Sequence, residues 1–161
     1  MSLPGMTGAI AGSGAAAATG HLYWRVYVSA TNGGTGIQLR EMEFHSAVSG
    51  SDQVPACTTY NMGAAGSVIY SSDTGGAEAW KAFDNSTGDW WSFTGNPAWC
   101  GFLFPANINI VEVALTTSPR SDRIPTALSI DYSDDGTTWT TKASFSSLSL
   151  ASLTTYNFAA P

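Results

Sequence analysis

Apolar and polar residues alternate along most of the chain after residue 20, with the period of two that is typical of β-strands. Residues 22–28 are aromatic and β-branched, and residues 128–133 alternate cleanly, which predicts one buried and one solvated face. The same reasoning predicts further strands at residues 37–44, 58–62, 67–70, 91–93, 99–104, 108–115, from 139 onward, and 154–158. Because no helical period extends beyond about two turns, we expect an all-β fold.

Three local patterns refine this prediction. The alternation in residues 37–44 changes phase after Glu41, which predicts a β-bulge at Arg40 and Glu41 that re-aims the Glu41 side chain. Residues 108–115 form the longest apolar run, so we expect them in the middle of a sheet. The sequence Asp-Asp-Gly-Thr at residues 134–137 predicts a hairpin turn.

The first twenty residues differ from the rest. They are rich in Gly, Ala and Ser and contain no Lys, Arg, Asp or Glu, so they cannot form a core. Two interpretations stay open: a disordered leader, or an extended N-terminal arm that orders against a neighbouring subunit. The expected organisation is therefore an arm at residues 1–20 and one domain at residues 21–161.

Composition narrows the classes of partner. Of the 161 residues, 11% are charged, and six Lys and Arg stand against twelve Asp and Glu, giving a net charge of −6. With no basic run, the chain is not expected to bind nucleic acid or an anionic membrane, and no apolar run is long enough to insert into one. The low content of charged residues favours neutral, polyhydroxylated ligands over polyanions. Cys57 and Cys100 are expected to act as small apolar residues, and a bridge between them stays open.

Residues 79–91 combine apolar anchors with oxygen donors. The rings of Trp80, Phe83 and Trp91 are expected to hold the ends of a tight loop. This loop brings Asp84 and Asp89 toward a common point, where hard oxygen donors suit Ca²⁺. A solvated β-turn explains the same residues without an ion.

A second group of residues is a candidate for carbohydrate binding, which needs an aromatic platform and convergent hydrogen-bonding groups. Its members are loop residues with polar or aromatic side chains: Arg120, Asp122, Arg123, Asn96 and the more exposed of Trp90 and Trp91. The alternative is that Arg120 and Arg123 form surface ion pairs with nearby Asp residues. The sequence contains no nucleophile elbow, P-loop or zinc-protease motif, so an enzyme is not expected.

Three segments carry a family resemblance: residues 82–91, residues 132–139 with their Ser-Asp-Asp-Gly-Thr-Thr-Trp pattern, and residues 99–115 between them. Together they resemble the discoidin or coagulation-factor-C family, which includes many carbohydrate-binding modules. The resemblance implies a galactose-binding-like β-sandwich of the jelly-roll type. Residues 22–26 and 39–44 resemble the closing strands of this family but come first, which implies a circular permutation. This permuted form resembles domains of bacteriophage virion proteins.

The resemblance also implies site residues. The family commonly holds a structural Ca²⁺ in the matching loop, which assigns Asp84 and Glu41 as ligands, with Ser86 and nearby carbonyls completing the shell. Asp89 stands where the family usually has Thr, so an oxygen donor is retained and a charge is added. Arg120 lies in a loop where related modules often place a ligand-binding Arg.

These implications give two expected functions. In the first, the chain is a non-catalytic adhesion module that binds cell-surface carbohydrate and is displayed in many copies, or as a homo-oligomer, on a phage particle. In the second, it is a purely structural capsid-decoration or tail-assembly protein, anchored to other virion proteins through residues 1–20. The expected location is the virion, or otherwise the extracellular space or cell surface.

Overall fold

The computed structural model describes residues 20–88 and 90–161. The predicted N-terminal arm, apart from Gly20, and the candidate ligand Asp89 lie outside the described residues. The described part contains no α-helix and three short 3-10 helices, Gly63–Ala65, Ala79–Phe83 and Ser121–Arg123. None of its helices is long and apolar enough to cross a membrane.

The described strands form two antiparallel sheets. In chain order they are β1 (His21–Thr31), β2 (Ile37–His45), β3 (Ser67–Tyr70), β4 (Trp91–Phe93), β5 (Ala98–Ile108), β6 (Glu112–Thr117), β7 (Pro125–Ser133), β8 (Thr140–Phe145) and β9 (Thr155–Ala159). One sheet has the order β3-β5-β1-β7-β8 and the other the order β4-β2-β6-β9. The prediction of an all-β, sandwich-like fold is confirmed.

The core lies between the two sheets and includes the short helix Ala79–Phe83. Alternate residues of β1 point inward, and Trp24 is fully buried. The Phe83 ring stacks on Phe44 of β2 at 6.0 Å and contacts Phe102 of β5 at 6.2 Å. Burying one such ring stabilises the fold by roughly 1.5–3 kcal/mol. The helix therefore joins the two sheets at the edge where β2 lacks a long partner strand.

The predicted bulge in β2 is present. Leu39 pairs with Thr117 and Glu41 pairs with Thr116, so two residue steps on β2 match one step on β6. Arg40 is the extra residue. Because the phase changes there, Glu41 and Met42 are both buried although they are adjacent in sequence.

Two predicted strands are wrong in detail. Residues 58–62 form bends with a single bridge, between Asn61 and Ser67, and not a strand. The apolar run 108–115 is divided: β5 ends at Ile108 and β6 begins at Glu112. Between them the chain passes from one sheet to the other, and Ile110 is fully buried. Its apolar side chain continues the strand pattern although the backbone turns. The expected central position holds for β6, which lies between β2 and β9.

The prediction that one face of β7 is solvated is also wrong at two positions. Asp131 and Ser133 are 3% and 2% exposed, although they point away from the core. Arg25 and Thr141 cover Asp131 with hydrogen bonds of 3.0 and 2.9 Å. The Ser133 hydroxyl accepts the backbone N–H of Gly136 in the following hairpin. Side chains of neighbouring strands therefore cover Asp131, and the following hairpin covers Ser133, whereas Ser129 on the same face is partly exposed.

A buried histidine links β2 to β6. The His45 ring lies 3.0 Å from Glu112 Oε1 and 2.9 Å from Glu43 Oε2, and Glu112 also accepts the backbone N–H of Ser49 at 2.8 Å. Burial alone would lower the pKa of His45. The hydrogen bonds and charges of Glu112 and Glu43 outweigh it, so the pKa of His45 is raised.

We expect His45→Gln to destabilise the protein more at pH 6 than at pH 9. A raised histidine pKa means that its stabilising contribution is complete below the unfolded-state pKa of 6.5 and is lost as the pH rises through the folded-state pKa. The expected cost at pH 6 is about 1–3 kcal/mol, because two carboxylates lose a charged partner. Urea unfolding of both proteins at the two pH values measures it, and an equal cost at both would contradict the assignment.

Candidate functional site

The loop at residues 79–91 is fixed at both ends, as the sequence predicts. At its start, Ala79, Ala82 and Phe83 are buried, and the Cys57 N–H donates to the Phe83 carbonyl at 2.7 Å. At its end, Trp91 is fully buried and its indole N–H donates to the Ser72 carbonyl at 3.0 Å. The polar residues between these anchors therefore lie in a defined position.

This loop meets β2 at Glu41. The backbone N–H of Ser86 donates to Glu41 Oε2 at 3.1 Å and to Asp84 Oδ1 at 2.8 Å. The Ser86 hydroxyl accepts the N–H of Gly88 at 3.1 Å. Asn85 takes a left-handed conformation, φ 57°, which brings residues on its two sides together. One peptide N–H thus holds two carboxylates close to each other.

The electrostatics of Glu41 are unfavourable for a bare carboxylate. The residue is 5% exposed, and its Oε1 atom is buried with no hydrogen-bond partner. Burial and the charges of Asp84 and Asp52 raise the pKa of Glu41 to about 9. The same group of acids, after burial, raises the pKa of the Cys57 thiol to about 12. Either a proton or a cation would relieve this concentration of negative charge.

The residues present fit a hard cation such as Ca²⁺. Glu41, Asp84 and Ser86 supply the oxygen donors that this ion prefers, and the unpartnered Glu41 Oε1 is an acceptor that an ion would satisfy. In residues 20–88 and 90–161, no three His, Cys, Asp or Glu side chains are grouped to hold a metal. Backbone carbonyls and the Ser86 hydroxyl are therefore needed in the shell, and the fourth predicted ligand, Asp89, lies outside the described residues.

Four of the predicted carbohydrate-binding residues, Asn96, Arg120, Asp122 and Arg123, lie in turns at one end of the sandwich. The turn between β1 and β2 binds the loop between β6 and β7, with the Gly34 N–H donating to the Asp122 carbonyl at 2.8 Å. Asn96 is exposed in the turn between β4 and β5, and half-buried Trp90 precedes β4. We call this set of turns, residues 32–36, 94–97 and 118–124, the loop end.

Within the loop end, Arg120 and Asp122 form an exposed ion pair. The Arg120 guanidinium binds both Asp122 oxygens, at 3.2 and 3.1 Å, and the two side chains are 56% and 44% exposed. Arg123 instead turns toward β4 and donates to the Ser92 hydroxyl at 3.0 Å. Exposed ion pairs contribute little to stability, so Arg120 and Asp122 exchange partners at low cost.

Three residues with unusual surroundings escaped the sequence reasoning. Asp52 accepts the N–H groups of Phe44 and Val54 through Oδ1, while its Oδ2 is buried without a hydrogen-bond partner. It lies in an irregular loop, where no period reveals burial. Arg25 and Tyr27 face away from the core beside Trp99 and Trp139. The alternation of β1 could have revealed Arg25 and Tyr27, because it places both side chains on the face away from the core.

Cys57 and Cys100 are both buried free thiols.

Searches against family models, curated proteins and solved structures return no match for this chain.

We expect Ca²⁺ to raise the melting temperature of the protein and a chelator to reverse the effect. Binding to the folded state alone stabilises it by mass action, and the ion removes repulsion between Glu41 and Asp84. Differential scanning calorimetry at pH 8, with Ca²⁺ or with a chelator, measures the shift. An unchanged melting curve would exclude the ion site.

The variant Glu41→Gln tests whether a bound cation or a proton neutralises the Glu41 carboxylate. A folded-state pKa of about 9, above the usual 4.5, means that Glu41 reduces stability as the pH rises from 4.5 to 9. Without divalent ions at pH 8, the uncharged amide is therefore expected to raise the melting temperature by about 3 °C or more. The variant should also lose any response to Ca²⁺. The control Asp134→Asn, which removes an exposed charge on a distant hairpin, should keep that response.

Proposed function

We propose that this chain is a non-catalytic adhesion module that binds cell-surface carbohydrate, is supported by a structural Ca²⁺, and is displayed in many copies on a phage particle. The observation that carries the proposal is the contact between Glu41 and the Ser86 backbone, 45 residues apart in sequence. The resemblance to the discoidin family requires these two segments to meet.

We further propose that the sandwich is a circularly permuted discoidin-like jelly roll. Permutation needs chain ends that lie side by side. At the start of β1, His21 pairs with Ile108, and at the end of β9, Ala159 pairs with Glu112. Residues 108 and 112 are close neighbours in the chain, so the start of β1 and the end of β9 lie at the same end of the sandwich.

The loop end is the proposed carbohydrate site. Arg120 and Asp122 offer exposed donors and acceptors, and Asn96 adds an exposed amide from a neighbouring turn. Few charges and a net charge of −6 favour neutral ligands over polyanions. A weak site of this kind becomes effective when many copies engage one cell surface.

The second candidate function is capsid decoration or tail assembly, with the sandwich as a scaffold and residues 1–20 as the anchor. The uncharged, small-residue composition of this segment favours close approach to a neighbouring chain. Loss of particle incorporation on deleting residues 1–20, together with no glycan binding, would favour this candidate over the first.

Arg120→Ala is expected to reduce binding of the multivalent protein to a glycan array by roughly tenfold or more, because it removes the main exposed cation of the loop end. The control Lys142→Gln removes one positive charge elsewhere, where Lys142 binds Asn109. It should bind like the unmodified protein. Equal binding by all three proteins would reject the loop end as the site.

A further inference from the structure

The outer face of the five-stranded sheet carries three aromatic rings around one guanidinium group. The central carbon of the Arg25 guanidinium lies 4.0 Å from the ring centre of Trp139, 5.2 Å from that of Trp99 and 5.3 Å from that of Tyr27. The rings of Trp99 and Trp139 are 5.8 Å apart and inclined by 47°. All three rings are only partly buried, so this set of four residues, which we call the aromatic surface, borders solvent.

Strand pairing places hydroxyl groups directly beside these rings. One row across the sheet runs from aromatic to hydroxyl side chains and consists of Trp99, Tyr27, Ser129 and Ser144. The adjacent row contains the charged pair and consists of Gly101, Arg25, Asp131 and Thr141. Neighbouring strands are about 4.8 Å apart, so each row spaces its groups at the scale of a sugar ring.

A depression of about 320 Å³ lies beside the aromatic surface, and Tyr27 borders both. The depression is otherwise bordered by hydroxyl residues, Ser29, Ser129, Thr141, Ser144 and Ser146, and by the apolar residues Ala127, Leu128 and Phe145. This is at the lower end of the size of small-molecule sites, about 300–1,000 Å³. Ser29 and Ser144 are exposed and Ser129 is partly exposed, so a ligand in the depression can reach their hydroxyls.

The charge of Arg25 is already compensated. Its Nε–H donates to Asp131 Oδ2 at 3.0 Å, and Asp131, buried on this face, also accepts the Thr141 hydroxyl. Arg25 thus keeps its terminal amino groups as hydrogen-bond donors while the site as a whole has little net charge. Since the chain carries a net charge of −6, an anionic ligand gains no overall attraction here.

We propose that the aromatic surface binds a neutral pyranose. A pyranose presents one face of C–H groups, which suits the rings of Trp99, Trp139 and Tyr27, and a rim of hydroxyls, which suits Arg25 and the serines. The proposal takes its ligand class from the proposed adhesion function, but its site is a different one from the loop end.

The test is an NMR titration of the full chain with methyl glucoside, methyl galactoside and methyl mannoside, observing the indole N–H signals of its six tryptophans. At least one pyranoside is expected to shift the signals of Trp99 and Trp139 and to leave those of the buried Trp24 and Trp91 in place. Sorbitol has hydroxyls without a ring face and should shift none. Methyl glucuronide should bind no more tightly than the neutral sugars, and added salt should not weaken binding of the neutral sugars.

Variants locate the site. Trp139→Ala and Trp99→Ala are each expected to weaken binding roughly tenfold, the scale of one aromatic contact. The matched control Tyr70→Ala removes a 37%-exposed ring from β3 of the same sheet and should leave binding unchanged. If a tryptophan variant does not fold, the shift map of the unmodified protein decides.

The possible results separate this inference from the proposed function. Binding that is lost in Arg120→Ala but kept in Trp99→Ala and Trp139→Ala would overturn the inference and leave the loop end as the site. No indole shift with any of the three pyranosides would overturn the inference, whereas the loop end, which contains no tryptophan, is tested separately by the glycan array. Binding that persists in Trp99→Ala and Trp139→Ala, or tighter, salt-sensitive binding of the glucuronide, would overturn the inference. Loss in these two variants but not in Arg120→Ala would confirm it and exclude the loop end.

Discussion

The structure depends on how it accommodates the Glu41 carboxylate, which the bulge in β2 directs into a buried position. A single peptide N–H, from Ser86, satisfies part of this carboxylate and also binds Asp84. A proton on Glu41 would remove the repulsion between the two acids by neutralising one of them. A cation would instead allow both to stay ionised and would use the unpartnered oxygen of Glu41. The loop is held in either state: a proton makes its stability depend on pH, whereas a cation makes it depend on the concentration of that ion.

The position of this loop affects the loop end through β4, which follows it directly. Ser92 of β4 accepts the Arg123 guanidinium through its hydroxyl at 3.0 Å, and its backbone N–H donates to the Ala77 carbonyl at 3.1 Å. The loop between β6 and β7 is in turn bound to the turn after β1, through Gly34 and Asp122. β2, which carries Glu41, pairs with β4 through Gln38 and Ser92. Strand pairing and hydrogen bonds thus connect the candidate ion site with the proposed carbohydrate site, so an ion would support the binding loops without touching the ligand.

Sequence patterns predict what is decided locally. The strands, the bulge at Arg40 and the ring anchors of the central loop each follow from the period or residue type of one short segment. The division of residues 108–115 was not predictable, because buried Ile110 maintains an apolar run through a turn between the two sheets. The pairing of Glu41 with the central loop required the family resemblance, since no periodicity links residues 45 positions apart. The cover over Asp131 escaped prediction because Arg25 and Thr141 come from other strands.

Both sheets carry a buried ionic contact on the outer face, His45 with Glu112 on one and Arg25 with Asp131 on the other, and the two contacts differ in what covers them. Buried ion pairs add little net stability unless all their polar atoms are satisfied. On the four-stranded sheet, Glu112 is satisfied by His45 and by the backbone N–H of Ser49, which lies in the loop after β2. On the five-stranded sheet the cover of Arg25 is aromatic: Trp139 shields the guanidinium but cannot accept the hydrogen bonds of its terminal amino groups. The terminal amino groups of Arg25 therefore stay available as hydrogen-bond donors beside the aromatic rings, which is what a hydroxylated ligand requires. Of these two outer faces, the one on the five-stranded sheet is suited to recognition.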